Sequence, residues 1–158
     1  PIFIQKWPND ILLKQDSKVR KVCGVLIESI TKGDVTETVI GIGINLSESE
    51  SMPVYKIPAG FAKSLNKDLN RTTLQSEIDC RLAGLFDQHP SIPKANLASY
   101  HKLANKSVTD GFTASSKLFY RNYEVSFDSV NSDGFVIVYD QNDQQIICDE
   151  GESLKWKF

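Results

Sequence analysis

Cysteine and histidine are scarce, and what little there is falls in no reactive pattern. Cys23, Cys80 and Cys148 are odd in number, lie far apart and form no C-x-x-C pair. A disulfide framework and a zinc site are therefore not expected, and reduced thiols in a cytoplasmic setting fit best. His89 and His101, the only histidines, are too far apart for the i, i+4 pairing of a helical metal motif. No window approaches the roughly 18 consecutive apolar residues that a membrane helix needs, and no secretory leader pattern is present. Charge of one sign is missing too: 18 Lys and Arg stand against 20 Asp and Glu, for a net charge of -2. No global basic field draws in a nucleic acid. There is no Walker A sequence and no internal repeat. Methionine occurs once, at Met52, and the sequence opens at Pro1 inside a strand-like run, so upstream sequence or a removed initiator is expected.

What is present is an ordinary globular composition, 41% hydrophobic and 24% charged over 158 residues. A chain of this size buries roughly 70% of its unfolded surface and needs no metal or disulfide to fold. The first third reads as closely spaced strands: residues 2 to 7, a turn at Pro8-Asn9-Asp10, then 11 to 13, 21 to 31 and 36 to 46. Short polar loops join them, which predicts an antiparallel meander. Pro58 fits the start of a short helix with Phe61, Ala62 and Leu65 as its apolar stripe. Leu74, Ile78, Leu82, Leu85 and Phe86 recur at helical spacing, with Thr72-x-x-Gln75 as a capping box and Pro90 as the stop. A third helix is expected from about 93 to 104. After Ala104 the pattern turns to short alternating strands that end at 153 to 158, and closure into a small barrel would remove their edges. The expected fold class is α+β, with domains at 1–104 and 105–158.

One strand carries a chemical hint. In Gly41-Ile42-Gly43-Ile44-Asn45, alternation puts Ile40, Ile42, Ile44 and Leu46 on one face, expected to be core, and Gly41, Gly43 and Asn45 on the other. Two successive missing side chains mark a surface against which a ligand or another backbone lies closely. Lys21 precedes a strand with a further glycine, Gly24. Lys6-Trp7-Pro8-Asn9-Asp10 displays an indole, an amide and a carboxylate around a turn; turn chemistry explains Pro, Asn and Asp, and leaves Trp7 without a reason.

K-W-P-N-D-I-L-L at 6 to 13, R-K-V-C-G-V-L-I-E at 20 to 28 and G-I-G-I-N at 41 to 45, in this order and spacing, resemble the second half of the catalytic domain of biotin protein ligases. The C-terminal strands look like that family's small SH3-like domain. The resemblance implies a partial biotin/lipoate ligase-like mixed sheet with helices, and an ATP-dependent ligase. Such an enzyme makes biotinyl-5'-adenylate and transfers biotin to a lysine of the biotin carboxyl carrier protein of acetyl-CoA carboxylase. It implies Lys21 as the catalytic residue, and Lys21, Gly24, Gly41 and Gly43 at biotin. Trp7, Asn9 and Asn45 would stand at ATP, and Asp10 would organise Mg²⁺ or the lysine. The family's Gly/Arg-rich loop over the adenylate is absent here, so the chain is expected to be a fragment with half an active site, inactive alone. A homodimer is allowed; a membrane or nucleic-acid partner is not expected. Two alternatives stay open. Lipoate or octanoate ligases share the fold and a lysine but should lack K-W-P-N-D and G-x-G-x-N, and a non-catalytic module would only dimerise or dock a carrier.

Overall fold

The structure is a computed structural model that describes residues 1–49, 57–88, 109–110 and 117–157. Its elements are β1 (Ile2–Lys6), β2 (Asp10–Gln15), β3 (Lys18–Lys32), β4 (Val35–Ile44), α1 (Arg71–Gln88), β5 (Lys117–Tyr120), β6 (Tyr123–Val130), β7 (Val136–Tyr139), β8 (Gln145–Cys148) and β9 (Leu154–Lys157). They form mixed architecture with few helices: a four-stranded sheet in the order β1-β2-β3-β4 and a five-stranded sheet in the order β8-β7-β6-β5-β9. No helix among the described residues is long and apolar enough to cross a membrane. The chain divides into two compact units, one of residues 1–3 and 9–80, the other of residues 4–8 and 81–158. The expected helix at 93–104, the stop at Pro90 and the domain boundary at 104 all lie outside the described residues.

In the first unit the meander is present. β2 and β3 are antiparallel around the two-residue turn Asp16-Ser17, both with positive φ, as a tight hairpin turn matching strand twist requires. β3 and β4 pair antiparallel from Cys23↔Ile44 out to Lys32↔Val35. Leu13, Val22 and Cys23 form the core, with Ile11, Val25 and Ile44 packed on it. That core is short. A 15-residue strand such as β3 reaches about 50 Å, well past the cluster, so Leu26, Ile27, Ile30, Val35 and Val39 are exposed. The isoleucine face of β4, expected to be core throughout, joins that cluster at Ile44, and Ile42 is 37% exposed.

The expected short helix at Pro58 is not there. Ala59 makes a parallel bridge to Lys21, and a single 3-10 turn follows at Ala62–Ser64. Bonding to β3 holds 58 to 60 extended, which forbids helical dihedrals at that point.

Of the stripe expected on helix α1, Leu74, Ile78 and Leu82 are half-buried, and the side chains of Leu85 and Phe86 lie outside what the structure describes. The helix cap differs. Asn70 Oδ1 accepts the Thr73 amide at 2.9 Å, which makes Asn70 the N-cap and places Thr72 inside the helix. Asparagine is among the strongest N-caps, and it takes the role from the Thr72 box. Asn70→Ala is expected to cost about 1 kcal/mol of stability, while Thr72→Ala costs less than half of that; thermal melts followed by circular dichroism compare the two.

In the second unit the neighbours in β8-β7-β6-β5-β9 all pair antiparallel. The expected barrel does not close: β8 and β9 stand at opposite edges of the sheet, and no pairing joins them among the described residues. The face is filled from elsewhere. Trp7 packs with Leu118, Val125, Val136, Val138, Cys148 and Leu154 in one cluster. The indole is 7% exposed and its N–H donates to the Gly134 carbonyl at 3.1 Å. Gly134 ends the turn Asn131–Gly134 with φ of +85°, a conformation that glycine adopts without the Cβ clash.

Candidate functional site

The site is built on an irregularity of β3. Asp10 lies opposite Gly24 and Ile11 opposite Cys23, yet Leu12 lies opposite Lys21, so Val22 is an extra residue, a β-bulge. In a regular strand residues 21 and 24 would project to opposite faces. The bulge resets the alternation and sends the Lys21 side chain over Gly24. The same reset explains why two successive residues, Val22 and Cys23, are both buried.

Lys21 Nζ meets Asp10 Oδ1 at 2.5 Å, with the lysine side chain 41% exposed and the aspartate 13%. The pair lies flat on Gly24. A methyl group there would come within 3.2 Å of Nζ, 3.3 Å of Lys21 Cε and 3.5 Å of Asp10 Oδ1. Beside it, β4 brings Gly43 opposite Gly24 and Gly41 opposite Leu26. Added methyl groups at these two would meet only the neighbouring strand, at 3.7 Å or more. Among the described residues nothing packs on them. The glycines of β4 thus leave space open rather than admit a packed neighbour.

That space is a shallow cavity of about 440 Å³, which takes in Lys21, Gly24, Gly41, Gly43 and Asn9, with walls from Val25, Leu26 and Ile42. It presents one ammonium at the end of a bare backbone floor with aliphatic sides. Such a surface suits a flat ligand that carries an anionic end.

The structure therefore assembles Lys21, Asp10, Gly24, Gly41, Gly43 and Asn9 in one place. Asn9 is pinned: its Nδ2 donates to Val25 O at 2.8 Å and its carbonyl accepts the Val25 amide at 2.8 Å. The other two expected site residues are used differently. Trp7, expected near a nucleotide base, is buried in the core of the second unit with its N–H bonded. Asn45 donates its side-chain amide to the Lys21 carbonyl at 3.0 Å and does not line the cavity. Asp10, expected to organise a metal or the lysine, lies in an ion pair with Lys21. No group of three or more His, Cys, Asp or Glu that could hold a metal ion occurs among the described residues. Burial pushes the Cys23 thiol up although Lys21 pulls it down, so it is no nucleophile at neutral pH. What the sequence pattern did not point to is the strap formed by Pro58, Ala59 and Gly60 along Lys21. Its one signal is glycine directly after a proline-led extended stretch.

Residues 1–45 match the biotin/lipoate A/B protein ligase family. No curated protein matches the chain by sequence. Among solved structures, biotin protein ligase from Aquifex aeolicus in complex with biotin and ATP is similar with a TM-score of 0.69 and 19% identity, over 99% of this chain and 63% of that one. The apo structure of biotin protein ligase from the same organism gives 0.68 and 18%, over 99% of this chain and 66% of that one. A further crystal structure of that protein gives 0.67 and 17%, over 98% and 64%. The likeness is one of fold, and the chain spans just under two thirds of the length of these proteins.

Proposed function

We propose that the chain supplies the lysine and the ligand floor of a biotin protein ligase. The whole protein would join biotin to ATP as biotinyl-5'-adenylate and pass the biotinyl group to a lysine of the biotin carboxyl carrier protein of acetyl-CoA carboxylase. One observation carries this: a single cavity sets the ion-paired ammonium of Lys21 at the end of the floor made by Gly24, Gly41 and Gly43. In the first step a carboxylate oxygen attacks the α-phosphorus, the bond to the β-phosphate oxygen breaks, and pyrophosphate leaves. Two anionic groups must approach each other. An ammonium held between them offsets that repulsion and the charge that develops on the phosphoryl oxygens, without acting as a base. In the second step the acceptor amine attacks the acyl carbon, AMP leaves, and the amine releases a proton.

The glycine floor lets a flat ureido ring lie against main-chain amides and carbonyls, and Val25, Leu26 and Ile42 would flank the aliphatic part. Asn9, at the same cavity, is the candidate contact on the nucleotide side. The described residues do not fit a protein-held Mg²⁺, because the one carboxylate of the site is engaged by Lys21. The three free thiols suit a cytoplasmic protein. The strands after residue 104 are read as the family's SH3-like domain, and a homodimer is compatible with the exposed sheet.

Calorimetric titration of the whole protein with biotin and with lipoate, followed by pyrophosphate release from each acid with ATP, tests the proposal. Binding and turnover of biotin are expected. Preference for lipoate would assign the chain to the other branch of the matched family, and absence of both would reduce it to a non-catalytic module. Asp10→Asn removes the charge that fixes Lys21, and the maximal rate of pyrophosphate release is expected to fall about tenfold or more with the Kd for biotin little changed. An unchanged rate would show that the ammonium holds its place without Asp10.

A further inference from the structure

The bulge at Val22 creates a local problem on the side of β3 that faces β4. Two successive carbonyls, those of Lys21 and Val22, both need donors there, whereas a regular strand turns successive carbonyls to opposite sides. Asn45 answers both. Its main-chain amide donates to Val22 O at 2.9 Å and its side-chain Nδ2 to Lys21 O at 3.0 Å. The strap completes the hold: Gly60 N donates to Lys21 O at 2.8 Å and Lys21 N donates to Pro58 O at 2.8 Å. The strap lies this close because Gly60 has no side chain, since a methyl group would stand 2.8 Å from Arg20 Cβ and 2.9 Å from Val22 Cγ1. The main chain of Lys21 is thus fixed by a side chain and a strap in addition to its sheet partner. Its ammonium is fixed separately by Asp10.

We propose that Asn45 is a positioning residue for Lys21, which locks the bulged backbone so that the ammonium stands over Gly24, and that it acts on the reaction through the lysine rather than by touching the nucleotide. This rests on the function proposed above. It explains why asparagine, a poor strand former, ends the glycine-bearing strand: an apolar residue there would leave the Lys21 carbonyl held by the Gly60 amide alone, and an aspartate would set two acceptors against each other.

The test uses Asn45→Asp, which keeps the shape and removes the donor, and Asn45→Ala as a second variant, both in the whole protein. The maximal rate of pyrophosphate release is expected to fall roughly 10- to 100-fold while KM for ATP stays within about twofold. In a Lys21→Ala background the same substitutions should add no more than about a further twofold loss, because residues that act as a unit are not additive. A KM for ATP raised tenfold or more at unchanged maximal rate, a loss undiminished in the Lys21→Ala background, or no effect on the rate would each overturn the proposal. A readout that needs no turnover separates it from the functional assignment: the ¹³C resonance of reductively methylated Lys21. Both variants are expected to shift this resonance, and an unmoved resonance would also overturn the proposal. If the unsubstituted protein releases no pyrophosphate, the assigned function fails while the resonance still decides the part played by Asn45.

Discussion

Lys21→Ala is expected to lower pyrophosphate release from biotin and ATP by about 10²- to 10³-fold, the loss typical when one group aimed at developing charge is removed. The protein should remain folded. The side chain is 41% exposed, and what ties residue 21 to the strap and to Asn45 is main chain, which alanine keeps; the side-chain tie to β2 that alanine loses is the ion pair with Asp10. Biotin should still bind, because the floor of Gly41 and Gly43 is untouched. Lys21→Arg is expected to rescue little: Gly24 seats a compact ammonium at 3.2 Å from where a methyl group would stand, and a planar guanidinium is larger and presents its charge differently. Quenched-flow measurement of pyrophosphate beside a thermal melt gives both quantities. A near-normal rate in the alanine variant would remove Lys21 from the chemistry.

Gly43→Val is expected to weaken biotin binding by at least about 100-fold with no loss of stability. The two effects run in opposite directions for separate reasons. A Cβ at residue 43 would meet only the Gly24 carbonyl, at 3.8 Å, so the fold has room for it, and valine is the better strand former. The valine methyl groups would occupy the cavity itself. A packing role for the glycine predicts the contrary pair of results: a lowered melting temperature and intact binding. Calorimetric titration with biotin beside a melting curve distinguishes them, and undiminished affinity would mean that the ligand does not lie on this floor.

Strand positions are legible because the strands are set off by polar or glycine-bearing turns; Gly33 and Gly134, both with positive φ, stand at expected turns. The glycines and Lys21 could be picked out, but their relation could not, since strict alternation puts residues 21 and 24 on opposite faces. Only the adjacent apolar pair Val22-Cys23 hints that the register slips there. The extent of the core is not legible for a related reason: alternation tells which side chains share a face and says nothing of whether anything covers it, as the 37% exposure of Ile42 shows. The bond from Asn45 to the Lys21 carbonyl is not legible in the sequence, because that partner lies 24 positions away and belongs to the main chain, which carries no sequence signal. Trp7 had no local explanation because its partners are Leu118 to Leu154.

The bond between Trp7 and Gly134 spans 127 positions, which sets an order of events during synthesis. At roughly 5 to 20 residues per second, a ribosome needs on the order of ten seconds to pass from one to the other. Until Leu118 is made the indole has none of the partners named above, and Leu154 is the last of them to appear. Closing so long a segment costs only slightly more than closing one half its length, so the burden falls on timing rather than on final stability. A nascent chain of this protein therefore carries an exposed tryptophan until Leu154 has emerged, and premature termination before β9 would release a product that cannot complete the burial of Trp7.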